Sequence, residues 1–241
     1  MKGKVVEIFS SIQGEGKYVG ERQIFVRLAG CNLNCRYCDT DFNVVEKCRV
    51  EKLAGFGEFV EWNGEMNSEE LVDIIEGYGR NVRHQAVSFT GGEPLLQYEF
   101  IKDVAKDIKE KIFLETNGTL VEELRKIIDY VDIISMDFKL KSAVEKNLIG
   151  LHRKFLEVAK EKDVYVKIVL AKDTKPEEFE EAARIIAEID KDIMLVLQPV
   201  TPCGGVEAPN VNKIFQAEET ALKYLNEVRV IPQTHKMLNI L

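Results

Sequence analysis

Cys31, Cys35 and Cys38 stand in a C-x3-C-x2-C spacing within Gly30–Thr40, GCNLNCRYCDT, directly after the apolar run Ile24–Ala29. Three thiolates this close, on a loop rich in Asn and Arg, can wrap one metal centre. A structural zinc site normally closes with four protein ligands, and no fourth Cys or His lies nearby. A [4Fe–4S] cluster held by three cysteines leaves one iron without a protein ligand, and that iron can bind a small molecule. A zinc knuckle, or a cluster used only for structure or electron transfer, is the alternative reading. A second candidate is Thr90–Pro94, TGGEP. Its glycines let the backbone approach a ligand closely, and Glu93 adds an acceptor.

Strand–helix alternation must position these loops. Val5–Phe9 reads as a short strand running into Ser10–Gly16, SSIQGEG, whose glycines predict a tight, exposed turn. Gln23–Ala29 is the strand that delivers the cysteine loop. Residues 43–67 carry no regular pattern apart from FGEFVEW and read as an insertion with a small hairpin. Ser68, followed by Glu69 and Glu70, predicts a capped helix start. Strands are then expected at Ala86–Phe89, Ile112–Glu115, Asp132–Asp137, Val164–Leu170, Ile193–Leu197 and Val228–Ile231. Helices are expected at Leu96–Lys109, Val121–Asp129, up to about Lys162, Pro176–Ile189 and Val211–Asn226. Such alternation implies right-handed βαβ units. The predicted fold is α/β: a partial, laterally open barrel with about six or seven parallel strands, in a single domain over 1–241.

Side chains at i and i+2 of a strand share a face. Arg27 shares one with Phe25 and Ala29, Ser88 with Thr90, Glu115 with Asn117, and Ser135 with Asp137 and Lys139. Lys167 faces with Tyr165 and Val169, and Gln198 closes its strand among Met194 and Val196. Polar groups recurring at successive strand ends predict a shared polar cavity at the C-terminal end of the barrel.

The chain has 241 residues, 45% apolar and 31% charged, with formal net charge −8. That balance argues against a nucleic-acid backbone as partner and favours a small molecule. Five cysteines, an odd number, fit a reducing cytoplasm better than a disulfide framework. Cys48 and Cys203 read as free structural thiols. No run predicts a signal peptide or a membrane helix. His84 and His152 are expected at the surface.

The CRYC spacing, with an aromatic before the last Cys, resembles the radical S-adenosylmethionine (SAM) superfamily, and TGGEP resembles that superfamily's GGEP segment. SIQGEG followed by FVRLAGCNLNCRYCDTDF, and the ending QTHKMLNIL, resemble the 7-carboxy-7-deazaguanine synthase family within it. The resemblance implies a [4Fe–4S] cluster on Cys31, Cys35 and Cys38 whose open iron chelates SAM. It implies Mg²⁺ on the Thr40 hydroxyl, an electron donor such as flavodoxin, and a homodimer. The implied substrate is 6-carboxy-5,6,7,8-tetrahydropterin, converted to 7-carboxy-7-deazaguanine with loss of ammonia, a step toward queuosine or archaeosine.

On matching positions, the resemblance puts Tyr37, Cys38, Asp39, Gly92 and Glu93 along SAM, with Ser135, Met136 and Asp137 at its strand-end contacts. Glu115, Asn117, Lys167 and Gln198 are further cofactor-side candidates. Ile12, Gln13, Gly14 and Glu15 would edge the pterin, Arg27 would pair with its carboxylate, and Thr90 and His235 would also face substrate. The competing readings are a glycyl-radical enzyme activase and a non-catalytic iron–sulfur protein. SIQGEG, Thr40 and the THK tail argue against the first. TGGEP and the polar strand ends argue against the second.

Overall fold

The strands after Ser68 carry apolar residues on both faces, as a sheet buried on both sides requires, and the segments between them carry the 3.6-residue period of helices that cover it. The computed structural model describes residues 1–40 and 46–240. In chain order the elements are β1 (Lys2–Ile12), β2 (Arg22–Leu28), β3 (Lys47–Glu51), β4 (Phe59–Asn63), β5 (Glu65–Asn67), α1 (Ser68–Asn81), β6 (Ala86–Gly91) and α2 (Tyr98–Ala105). There follow β7 (Ile112–Thr116), α3 (Val121–Ile127), β8 (Ile133–Asp137), α4 (Lys141–Val144), α5 (Ile149–Ala159), β9 (Asp163–Leu170) and α6 (Pro176–Ile189). The chain ends with β10 (Leu195–Pro199), α7 (Val211–Ala221), β11 (Val228–Val230) and α8 (Thr234–Leu238).

Strands β11, β10, β9, β8, β7, β6 and β2 lie side by side in that order, each parallel to the next. The sheet continues through β1, β3 and β4, and among the described residues its path has two ends that do not pair. This is the partial, laterally open barrel that the alternation predicts. Helices α1, α2, α3, α5, α6 and α7 pack neighbour to neighbour outside it. The strand positions assigned to the outer face, Val87, Phe89, Val166, Ile168 and Leu170, join that helix-facing core. Tyr165, Met194 and Val196 fill the inside with Phe113. No described helix is long and apolar enough to cross a membrane.

β1 differs most from expectation. It spans eleven residues because it pairs antiparallel with β2 as far as Ile12↔Arg22 and with β5 from Lys2↔Asn67. A bulge between Val5 and Glu7 sets Glu7 opposite Arg27, and bulges commonly re-aim a side chain in this way. β3 and β4 pair as the expected hairpin and extend the sheet beyond β1. Residues 43–45 of the predicted insertion lie outside the described residues. The cap of α1 is Asn67 rather than Ser68: its side chain accepts from the Glu70 amide while Glu70 returns a bond to the Asn67 amide.

Candidate active site

The cysteine loop leaves β2 and is clamped from several sides. The Arg36 amide donates to the Ala143 carbonyl (3.1 Å) and its guanidinium pairs with Asp173 (2.7 Å). Asn32 donates to Thr119 Oγ1 and accepts from Asn117 Nδ2 (2.9 and 2.8 Å). The glycines after β6 press edge-on against the same loop. The Glu93 amide donates to the Gly30 carbonyl (2.8 Å), and a Cβ on Gly92 would lie 1.9 Å from that oxygen and 3.0 Å from the Cys31 Cβ. Close approach of two loops, as much as of a ligand, therefore requires Gly92.

Cys31, Cys35 and Cys38 all line one cavity of about 740 Å³. Burial pushes the Cys31 thiol up and the Cys35 thiol up to about 11, so both are protonated at neutral pH and a metal must displace those protons. Three thiolates suit a cluster, where each meets a different iron.

The inner faces of the strands line the same cavity. Lys167 pairs with Glu15 and lies 3.7 Å from Asp137, which Lys139 binds at 2.7 Å. Burial pushes the Glu15 carboxyl up, but the Lys167 ammonium and a hydrogen bond from Gln233 outweigh it and hold it at about 2. Burial pushes the Lys167 ammonium down, and Glu15, Asp137 and Glu115 more than reverse this. Glu115 accepts from Gln13 Nε2 (2.8 Å) and Thr90 Oγ1 (2.7 Å).

Both ends of the sequence close this cavity. The turn after β1 is tight but not exposed: Gly14 and Gly16 are buried, and Gly16, at φ +67°, packs against the Tyr165 hydroxyl. Thr234 donates its amide and hydroxyl to the Gly14 carbonyl (2.9 and 3.1 Å). Gln233 donates to Glu15 (2.7 Å), and Lys236 pairs with Asp39 at 2.5 Å. A Cβ on Gly14 would sit 2.3 Å from His235 Nδ1. Gly14→Ala is therefore expected to push the tail off the cavity, costing about 1–3 kcal/mol as overpacking does. Faster amide exchange over residues 233–240, with the sheet unchanged, is the signature to look for.

Of the residues singled out from sequence, Ile12, Gln13, Gly14, Glu15, Arg27, Tyr37, Asp39, Thr40, Thr90, Gly92, Glu115, Asn117, Ser135, Asp137, Lys167, Gln198 and His235 line the cavity with the cysteines. Met136 does not: its side chain is fully buried in the helix-facing core, because it alternates with Ser135 and Asp137. Glu93 is also turned away. It is fully buried and accepts from the Leu95 amide, the Thr116 hydroxyl and the Asn117 amide (3.0, 2.9 and 2.8 Å). Gln13 spends its amide nitrogen on the Glu115 carboxylate and the Gln23 amide oxygen and its own oxygen on the Glu15 backbone amide, so its side chain braces Glu115 and the turn at Glu15. His84 and His152 are buried, not surface residues. His84 meets Ser10 Oγ at 2.8 Å. His152 packs on Phe138 and donates to the Asn117 carbonyl (3.1 Å), and burial holds its imidazole down at about 4.

Burial pushes the Glu93 carboxyl up to about 7 against the pull of its three donors. Its value in the fold lies above the ordinary 4.5, so its contribution to stability falls as pH rises from about 4.5 to 7 and levels off above. Glu93→Gln should remove that slope and cost about 1–3 kcal/mol by turning an amide NH₂ toward an N–H donor. Urea unfolding at pH 5 and pH 7.5 checks both.

Sequence reasoning missed Glu7, Phe9, Lys47, Arg49, Gln233 and Lys236, all of which line the cavity. Glu7, a lone acid within an apolar strand, was the one legible signal.

Comparison with known proteins supports the same reading. A 7-carboxy-7-deazaguanine synthase of Geobacter sulfurreducens is 40% identical over 238 residues, 96% of this chain and 95% of that protein. One of Methanocaldococcus jannaschii is also 40% identical, over 98% and 99%. The family model of the radical SAM superfamily matches residues 26–203. The chain belongs to the 7-carboxy-7-deazaguanine synthase family of radical SAM proteins. The crystal structure of QueE from Escherichia coli shares the fold, with a TM-score of 0.63 at 21% identity over 97% of this chain and 94% of that one.

A radical SAM protein holds a [4Fe–4S] cluster and SAM, and this cavity fits them. Asp137 Oδ1 and Gln198 Oε1 are buried without a hydrogen-bond partner among the described residues, and both side chains line the cavity. Two unpaired buried acceptors call for a donor-bearing ligand, as hydroxyl and amino groups of SAM would be.

Proposed function

We propose that the protein converts 6-carboxy-5,6,7,8-tetrahydropterin to 7-carboxy-7-deazaguanine with loss of ammonia. The observation that carries this reading is that SIQGEG and the QTHK tail meet at the cavity beside the cysteine loop, with Arg27, Glu15, Glu115, Lys167 and His235 around it. The near-full-length relatives named for this reaction support it. Bound at the loop, the cluster and SAM supply a carbon-centred radical.

The residues do the rest. Arg27 takes the substrate carboxylate on its planar fork. Glu15, kept ionised by Lys167, and Glu115, held by Gln13 and Thr90, accept from the N–H and amino edge of the pterin. Asp137 and Gln198 accept from SAM. The tail excludes water and His235 faces the substrate. The Thr40 hydroxyl contributes to a Mg²⁺ site whose remaining ligands are substrate oxygens and waters. An external one-electron donor such as flavodoxin, and a homodimer, complete the reading on the strength of the family.

Anaerobic turnover of the reconstituted protein with SAM, Mg²⁺, dithionite and the carboxypterin, followed by mass spectrometry, tests it. Formation of 7-carboxy-7-deazaguanine without stoichiometric SAM loss is expected. SAM cleavage with the pterin unchanged would overturn the substrate and direct attention to protein substrates.

A further inference from the structure

The cavity does not stop at the parallel strands. It continues across β2 onto β1 and the hairpin, where Glu7, Phe9, Phe25, Arg27, Lys47 and Arg49 line it. The ladders align these residues in rows. Arg49 lies beside Glu7 and Glu7 beside Arg27, which in turn lies beside Thr90. In the next row Phe9 lies beside Phe25, their rings stacked at 5.2 Å and 13°.

Glu7 joins the two guanidinium groups. Its side chain is 12% exposed; one oxygen accepts from Arg27 Nε at 2.7 Å and the other lies 3.5 Å from Arg49 Nη1. The Arg49 guanidinium also stacks on Phe59, 4.3 Å from the ring centroid. A half-exposed ion pair of this kind adds little stability, so the arrangement is not explained by holding the hairpin down. Its effect is to fix two planar forks at the cavity wall. Two guanidinium groups share one carboxylate, leaving a single positive charge beside an aromatic floor, while Lys47 is occupied by Glu61.

We propose that Arg49 is a specificity-determining residue that recognises the substrate's carboxylate together with Arg27, with Glu7 as the positioning residue for both. A bound carboxylate then balances the row: two guanidinium groups against two carboxylates, with the ring resting near Phe9 and Phe25. Preorganised, bidentate donors of this kind are what planar carboxylate recognition uses. The inference rests on the proposed reaction and assigns to the hairpin a part in substrate choice.

The test uses the reconstituted holoenzyme, comparing 6-carboxy-5,6,7,8-tetrahydropterin with 6-methyl-5,6,7,8-tetrahydropterin, which lacks the carboxylate. Arg49→Met keeps the stem over Phe59 and removes the charge; Arg49→Lys keeps the charge and loses the fork. For Arg49→Met, KM and Kd for the carboxypterin are expected to rise about tenfold, as losing a charged hydrogen bond does. Affinity for the methyl analogue and for SAM should hold, and Arg49→Lys should recover part of the loss. Unchanged carboxypterin binding, an equal loss for both pterins, or a loss confined to SAM would each overturn the assignment while leaving the reaction standing. A wild-type protein that neither binds nor converts the carboxypterin would remove the reaction and the inference together.

Discussion

Replacing Lys167 with Met is expected to lower stability near neutral pH by about 3–5 kcal/mol, the cost of removing one partner from a buried ion pair. For a chain of this length that is a fall of about 10 °C in melting temperature. The cause is two carboxylates losing their shared cation, for Lys167 lies against both Glu15 and Asp137. Asp137 keeps Lys139, so Glu15 is the residue left exposed to the burial penalty, with Gln233 as its remaining hydrogen-bond donor. In the wild type Glu15 is held at about 2, below its ordinary 4.5. The stabilisation from the pair is therefore full above about 4.5 and lost as pH falls through about 2. In Lys167→Met the stranded carboxylate is neutralised by acid instead, so the deficit should be largest near pH 7.5 and shrink toward pH 4.5. Unfolding curves at the two values decide it: a deficit independent of pH would mean that Lys167 acts through packing and not through charge.

The second large effect is expected from a single methyl group. Gly92→Ala places a Cβ 1.9 Å from the Gly30 carbonyl oxygen, and neither atom belongs to a flexible side chain that could give way. The loops must separate, weakening the bond from the Glu93 amide to Gly30 and shifting Cys31, whose Cβ lies 3.0 Å from the new methyl. Overpacking of this kind costs about 1–3 kcal/mol. The larger consequence is for turnover, where a misplacement of about 1 Å can cost a hundredfold. Iron content near wild type with turnover down about a hundredfold is the expected result, read from iron analysis and SAM cleavage in parallel. Full activity in the variant would show that the two loops tolerate separation.

Much of this site was readable from strand alternation alone. Arg27, Asp137 and Lys167 fall on inner faces because their neighbours at i±1 are apolar, and those neighbours do pack under the helices. The resemblance also puts Met136 among the SAM contacts, while strand alternation turns its side chain to the helix-facing side. His152 was similarly legible: with Leu148, Phe155, Leu156 and Ala159 it follows the period of a buried helix face, and all of these are buried on or beside α5. Glu93 could not have been read from its motif, since its direction depends on β7 lying alongside to supply the Thr116 hydroxyl and the Asn117 amide. The role of Arg49 was equally hidden. It depends on β3 pairing in parallel with β1 after a chain reversal, and on a bulge that shifts Glu7 into line.

From β6 to β11 each strand pairs with the next in the chain, so most of the sheet can form from neighbouring segments. The closing bonds are of another kind: Gln233 to Glu15 and Thr234 to Gly14 join residues 218 and 220 positions apart. Contacts across such spans carry the largest loop-closure entropy and are gained late. They are also few, which makes their release cheaper than that of any strand. The tail is therefore the part of the cavity wall that can lift while the sheet and the cysteine loop stay in place.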